Sequence, residues 1–149
     1  MAAKVGIISD THGLLRPEVL EILKTCDYIL HAGDVTDERL LDQIRFFGKL
    51  YVVRGNCDGI WAVQLAQIQR FRIEELEFAM IHDYHKIGMA YQEADVIIYG
   101  HSHKYTEEVI DGRLWLNPGS CGYPRFGGTV SMAVMRIDGR HYEVERIDF

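Results

Sequence analysis

The chain has 149 residues with a formal charge of -6, 48% apolar and 26% charged residues. That length suits one domain burying about two-thirds of the surface its unfolded form exposes, and the composition excludes disordered, collagen-like and low-complexity classes. No apolar stretch approaches the roughly 18 residues of a membrane span, Met1-Ala2-Ala3-Lys4 lacks the apolar core of a signal peptide, and with no Lys/Arg run no extended nucleic-acid surface is expected. The cysteines, Cys26, Cys57 and Cys121, are odd in number without CxxC spacing, which predicts reduced thiols in a cytoplasmic protein rather than disulfides or a structural zinc site. The expectation is a single domain over 1–149.

In chain order, Val5-Gly-Ile-Ile-Ser9 reads as a buried strand running into the polar loop Asp10-Thr-His-Gly13. Pro17 suits the first turn of a helix reaching about Cys26. The pattern repeats with Tyr28–His31 leading into Ala-Gly-Asp34, a helix over 37–46, and Leu50–Val53 leading into Arg-Gly-Asn-Cys-Asp58. Three successive βα units imply a parallel sheet. Residues 60–69 suggest a short helix, and Phe71–Ile73 with Leu76–Ile81 suggest a hairpin turning at Glu74-Glu75. Lys86–Glu93 reads as helical, and Asp95–Tyr99 as a fourth parallel strand ending at Gly100-His-Ser-His103. Asp111-Gly112 and Asp138-Gly139 each separate two strand-like runs, the strongest short-range hairpin signal, so the last third is antiparallel. Both styles are expected to share one core of two packed sheets with helices outside.

Five polar clusters each follow an apolar run: Asp10-Thr-His12, Gly33-Asp34, Gly55-Asn-Cys-Asp58, His82-Asp83 and Gly100-His-Ser-His103. Residues just past the carboxyl ends of strands in an α/β sheet converge on one crevice. Seven potential ligands, Asp10, His12, Asp34, Asn56, His82, His101 and His103, could meet there; this carboxylate, imidazole and amide mixture suits manganese, iron or zinc. Two ions fit seven ligands better than one, with Asp34 as the natural bridge, and a pair of ions that polarises a phosphoryl oxygen and activates water supports phosphoester hydrolysis. Taken singly, Asp10, Asp34 or Asn56 could equally be a cap or turn residue. His31, inside an apolar run, and His141, in the terminal hairpin, read as packing or solvent-facing residues.

These motifs, DxH, GD, GNCD, an isolated His and GHxH, in this order from Asp10 to His103, resemble the calcineurin-like metallophosphoesterase superfamily. Cys57 and the later Asn117-Pro-Gly-Ser120 look most like its small bacterial YfcE-type phosphodiesterases. The resemblance implies an α/β fold, a four-layer α/β/β/α sandwich of two mixed β-sheets flanked by helices. It implies one metal held by Asp10, His12, Asp34 and His103 and the other by Asp34, Asn56, His82 and His101, two divalent ions of which Mn2+ is favoured over Fe, Zn or Ni. It also hints at a homodimer or homotetramer.

Many members carry His where this chain has Cys57, a weaker proton donor, so leaving-group protonation could fall to water or to Asp58, while His101 stabilises developing charge. Cys57 as a nucleophile is the less favoured alternative. Asp83 stands where Gly is common and reads either as an acceptor that orients a ligand imidazole or as a solvated loop residue. Asn117 or Ser120 could brace the ligand loops, Arg125 could contact a substrate phosphate, His85 matches no ligand position, and Trp61, Tyr84 and Phe126 could line a pocket. The expected activity is hydrolysis of small phosphodiesters through a dinuclear metal-bridged hydroxide. The alternatives are a non-catalytic protein-binding scaffold like the small subunit of eukaryotic retromer, or a phosphomonoesterase or nucleotide pyrophosphatase on the same site.

Overall fold

The computed structural model describes residues 2–123 and 128–149. Ten strands form two five-stranded mixed sheets, with β1 (Ala3–Ile8), β2 (Tyr28–His31), β3 (Lys49–Val52), β9 (Ser131–Asp138) and β10 (His141–Asp148) in the first, ordered β10-β9-β1-β2-β3. The second, ordered β4-β5-β6-β8-β7, holds β4 (Ile68–Ile73), β5 (Leu76–Ile81), β6 (Val96–Ile98), β7 (Thr106–Ile110) and β8 (Arg113–Asn117). The three βα repeats do place β1, β2 and β3 in parallel. The fourth apolar run, β6, instead joins the second sheet, parallel to β5 and β8, because β9 returns to occupy the free edge of β1 in antiparallel register.

Strand alternation sends Val5 and Ile7 of β1 inward, where with Leu30, Met135 and Ile137 they meet Phe78, Met80, Val96, Ile98 and Leu116 of the facing sheet. Ile8 points the other way and packs under α1 (Pro17–Leu23) and α2 (Glu38–Ile44) with Val19, Leu23, Leu40, Leu41 and Ile44. Pro17 opens α1, and the Asp37 carboxylate caps α2 by accepting from the Arg39 amide at 3.0 Å. The outer face of the second sheet carries only a thin layer, in which Ala79, Ile81 and Ile97 pack against Ile87 and Ala94. The sandwich order is therefore met with 3-10 turns in place of α-helices on one side.

Two local expectations are corrected. Residues 60–69 form only a 3-10 turn, Ile60–Ala62, because Ile60 and Val63 are exposed and offer no apolar stripe, while Ile68 onward is drawn into pairing with β5. Residues 86–93 split between the 3-10 segments Tyr84–Lys86 and Gly88–Glu93, with Ile87 between them and the left-handed Gly88 (φ 60°) opening the second. The Asp111-Gly112 turn has φ 51° and 78°, the geometry a twisted hairpin demands. In the last hairpin Asp138 pairs with His141, which moves the turn one residue on to Gly139-Arg140. Among the described residues, no helix is long and apolar enough to cross a membrane.

Candidate metal centre

The ligand-bearing loops leave β1, β2, β3, β5 and β6 at their carboxyl ends, and backbone bonds lace them together. Asp10 N donates to Gly33 O (3.0 Å), His12 N to Asp34 O (3.0 Å), and Gly100 N to His82 O (3.0 Å). Asp10, His12, Asp34, His101 and His103 all adopt left-handed backbone, with φ between 47° and 75°. For non-glycine residues that conformation costs on the order of 1 kcal/mol each, and such strain gathers where surrounding structure enforces function. The close approach also needs Gly55 and Gly100, since a Cβ at the first would collide with Asp34 and at the second with Ser9 and Asp10.

Asp10 is fully buried; its Oδ2 accepts from Ser9 Oγ (2.7 Å) and from the His101 amide (3.1 Å), whereas Oδ1 has no hydrogen-bond partner. Asp34 Oδ1 accepts from the Cys57 amide (2.7 Å), leaving Oδ2 aimed at His82 Nε2 (3.2 Å) and His12 Nε2 (3.7 Å). His82 donates from Nδ1 to Ala32 O (2.8 Å), which turns the Nε2 lone pair toward the two carboxylates, and that buried nitrogen also lacks a hydrogen bond. His103 donates from Nδ1 to Tyr123 O (3.2 Å), presenting Nε2 at 3.3 Å from both Asp10 Oδ1 and His12 Nε2. His101 Nδ1 and Asn56 Oδ1 lie 3.1 Å apart, and the His101 and His82 rings meet edge-on at 5.2 Å. The structure thus brings all seven expected ligands into one neighbourhood.

Electrostatics agree with a site built for positive charge. Burial alone would raise Asp10 and Asp34, yet the close His103 and His82 rings with the Ser9 hydroxyl at Asp10, and His82, the Cys57 amide and His12 at Asp34, hold both below the ordinary carboxylate value. Burial works to lower His82, and the Asp34 and Asp10 carboxylates outweigh it and raise its affinity for a proton. The donor set passes the chemical test for a divalent cation. Two buried atoms, Asp10 Oδ1 and His82 Nε2, are orphaned beside one another. Three overlapping triads, Asp10/His12/His103, Asp10/Asp34/His82 and His12/Asp34/Cys57, each keep their ligand atoms within 4.8 Å.

Other singled-out residues take defined places. Asp58 accepts from the amides of Asp34 (3.0 Å), Gly55 (2.8 Å) and Thr36 (2.7 Å), tying the β2 and β3 loops together. Cys57 is exposed, and partial desolvation of its sulfur together with the Asp34 carboxylate raises its thiol pKa. Asn117 donates to Gly100 O (3.1 Å) and Ser102 Oγ (3.0 Å), and Ser120 Oγ lies 2.8 Å from the carbonyls of both Asp10 and Tyr123, so that turn braces the ligand loops. Asp83 accepts from the His85 amide (3.1 Å) and faces its Nδ1 (3.0 Å). Tyr84 stacks on His85 and Trp61 packs against the helical layer. Arg125 and Phe126 lie outside the described residues.

Sequence reasoning missed the support beneath the centre: buried His31 accepts from Gly33 N (3.1 Å) and donates from Nε2 to Thr11 Oγ1 (2.9 Å), while Ser9 Oγ orients Asp10. It also missed Cys57 Sγ as a member of a ligand triad. A Ser-Asp-Thr run just before His12 was the only signal for the former.

Paired α/β sheets whose strand-end loops pool carboxylates and imidazoles around orphaned buried atoms define a candidate site for divalent metal. The model of the calcineurin-like phosphoesterase superfamily domain matches residues 3–140, and the chain belongs to that superfamily. It is 32% identical to a probable metallophosphoesterase of Methanothermobacter thermautotrophicus over 96% of this chain and 91% of that protein. An archaeal phosphodiesterase structure superimposes with a TM-score of 0.82 at 26% identity, covering 98% of this chain and 99% of that one. Zn2+-bound Vps29 from Entamoeba histolytica, at 22% identity and a TM-score of 0.77 over 97% of this chain and 98% of that one, shares the fold.

Proposed function

We propose that this chain is a phosphodiesterase for small diesters that works with two divalent metal ions, with manganese the favoured ion. The observation that carries the proposal is the pair of orphaned buried atoms, Asp10 Oδ1 and His82 Nε2, set among five further potential ligand side chains. Asp34 supports its role as the shared ligand by facing His12 on one side and His82 on the other. Asp10, His12 and His103 complete one ligand set with it, and Asn56, His82 and His101 the other. When bound, such ions supply Lewis-acid activation of water and of the phosphoryl group.

The chain's own residues supply position and polarity. The Nδ1 bonds of His82 and His103 to backbone carbonyls fix each ring and turn Nε2 toward the centre. Asp58, with both oxygens on backbone amides, acts as a positioning residue that holds Asp34 and the Gly55-Asn56 turn in register. His101, at the more exposed margin, is suited to stabilise charge on a bound phosphoryl oxygen. Cys57 offers only a thiol where a proton donor to the leaving group would stand, and a thiol is a weak donor. The three unpaired cysteines fit a cytoplasmic setting.

The test is release of p-nitrophenolate from bis-p-nitrophenyl phosphate by manganese-loaded protein. Turnover is expected, with loss in Asp34→Asn and His103→Ala variants that keep their circular dichroism spectrum. Full activity in both variants would remove the proposed site. Cleavage of monoesters or nucleotide pyrophosphates alone would reassign the substrate, and absence of metal uptake would favour the scaffold reading.

A further inference from the structure

A cavity of about 510 Å³ adjoins the metal centre, and three candidate ligands, Asn56, His82 and His101, form part of its wall. Arg54 and Lys86 also line it. Arg54 directly precedes the Gly55-Asn56 turn, its amide anchored to Ala66 O (2.9 Å), and Lys86 closes the 3-10 turn that begins just after His82. Each cation is therefore tethered to a loop that delivers a ligand.

In a chain of net charge -6, these two cations form no ion pair among the described residues. The cavity's carboxylate is Asp83, whose Oδ1 already serves the amide and ring of His85. Ile81 and Ile87 add an apolar wall. A singly charged diester has its phosphoryl group drawn to the metal centre, so a cationic, half-apolar chamber beside it is matched to a different part of the substrate. The volume lies within the range of small-molecule sites, roughly 300–1,000 Å³.

We infer that this cavity binds one ester arm of the substrate, and that the arm carries a second anionic group, recognised by Arg54 and Lys86, on a small apolar body. The inference rests on the phosphodiesterase reading and names its substrate class.

Two probes differ only in the feature at issue: thymidine 5'-(p-nitrophenyl phosphate) and the same compound bearing a 3'-phosphate. With manganese-loaded protein, the 3'-phosphate is expected to raise kcat/KM for p-nitrophenolate release by about tenfold, the effect of a charge-assisted hydrogen bond. Arg54→Gln and Lys86→Gln should each erase most of that ratio, and Lys86→Arg should keep it. Independently of turnover, calorimetric binding of thymidine 3',5'-bisphosphate to metal-free protein should weaken by about tenfold in Arg54→Gln. Equal kcat/KM for both probes, or a preference that survives both Gln variants, overturns the inference. Absence of turnover on these probes and on bis-p-nitrophenyl phosphate refutes the phosphodiesterase reading, and the calorimetric comparison then still decides the cavity.

Discussion

His31 turns the support beneath the centre into a measurable pH dependence. The ring has no exposed surface, its Nδ1 accepts from the Gly33 amide, and its Nε2 donates to Thr11. A second proton would have to sit on the nitrogen that already accepts a hydrogen bond. Burial drives the pKa from 6.5 down to about 4, Asp10 opposing and His82 assisting the shift. Because the folded value is depressed, the unfolded chain binds the extra proton first, so this contribution is whole above pH 6.5 and drains away as pH falls toward 4. Between pH 7.5 and 5 the loss is about 2 kcal/mol, or roughly 4–8 °C in Tm for a domain of this size. His82, whose pKa is raised, changes stability in the opposite sense, so the quantity to measure is the difference between wild type and His31→Gln. Melting curves in chelator should show wild type losing about 2 kcal/mol more than the variant over this range. Identical pH dependence in a folded variant would refute the argument.

Removing divalent metal with a chelator should lower Tm and adding Mn2+ should restore it, by about 2.7 kcal/mol of stability for each ion at a hundredfold excess over its Kd; thermal melts check this. Gly55→Ala places a methyl group against Asp34 and should destabilise the fold by about 1–3 kcal/mol while weakening metal uptake, measured by denaturant titration and calorimetry. Asp58→Asn exchanges a carboxylate acceptor for an amide beneath three backbone N–H groups. It should lower metal affinity by about 10–100-fold, and unchanged affinity would deny it the positioning role.

Local patterns carried much of the architecture. Apolar runs ending in polar clusters marked β1, β2, β3 and β6, and Asp111-Gly112 marked its hairpin, because burial and turn chemistry act over a few residues. Pairing partners were less legible. Ile68 to Arg70 lacks strand alternation of its own and becomes β4 only through register with Ala79 to Ile81. The placement of β6 in the second sheet follows from β9 returning to β1, a contact between distant stretches. At the centre, residue types and spacing pointed to all seven candidate ligands, whereas the left-handed backbone of Asp10, His12 and Asp34 arises from interlocking loops. The pairing of Arg54 with Lys86 in one cavity likewise required β3 and β5 to be brought together.

The most direct measurement is an anomalous difference map from crystals of the protein grown with Mn2+. Two peaks are expected to flank the Asp34 carboxylate, one among Asp10, His12 and His103 and the other among Asn56, His82 and His101. A map without density there, or with manganese bound only elsewhere on the chain, would contradict the two-metal reading.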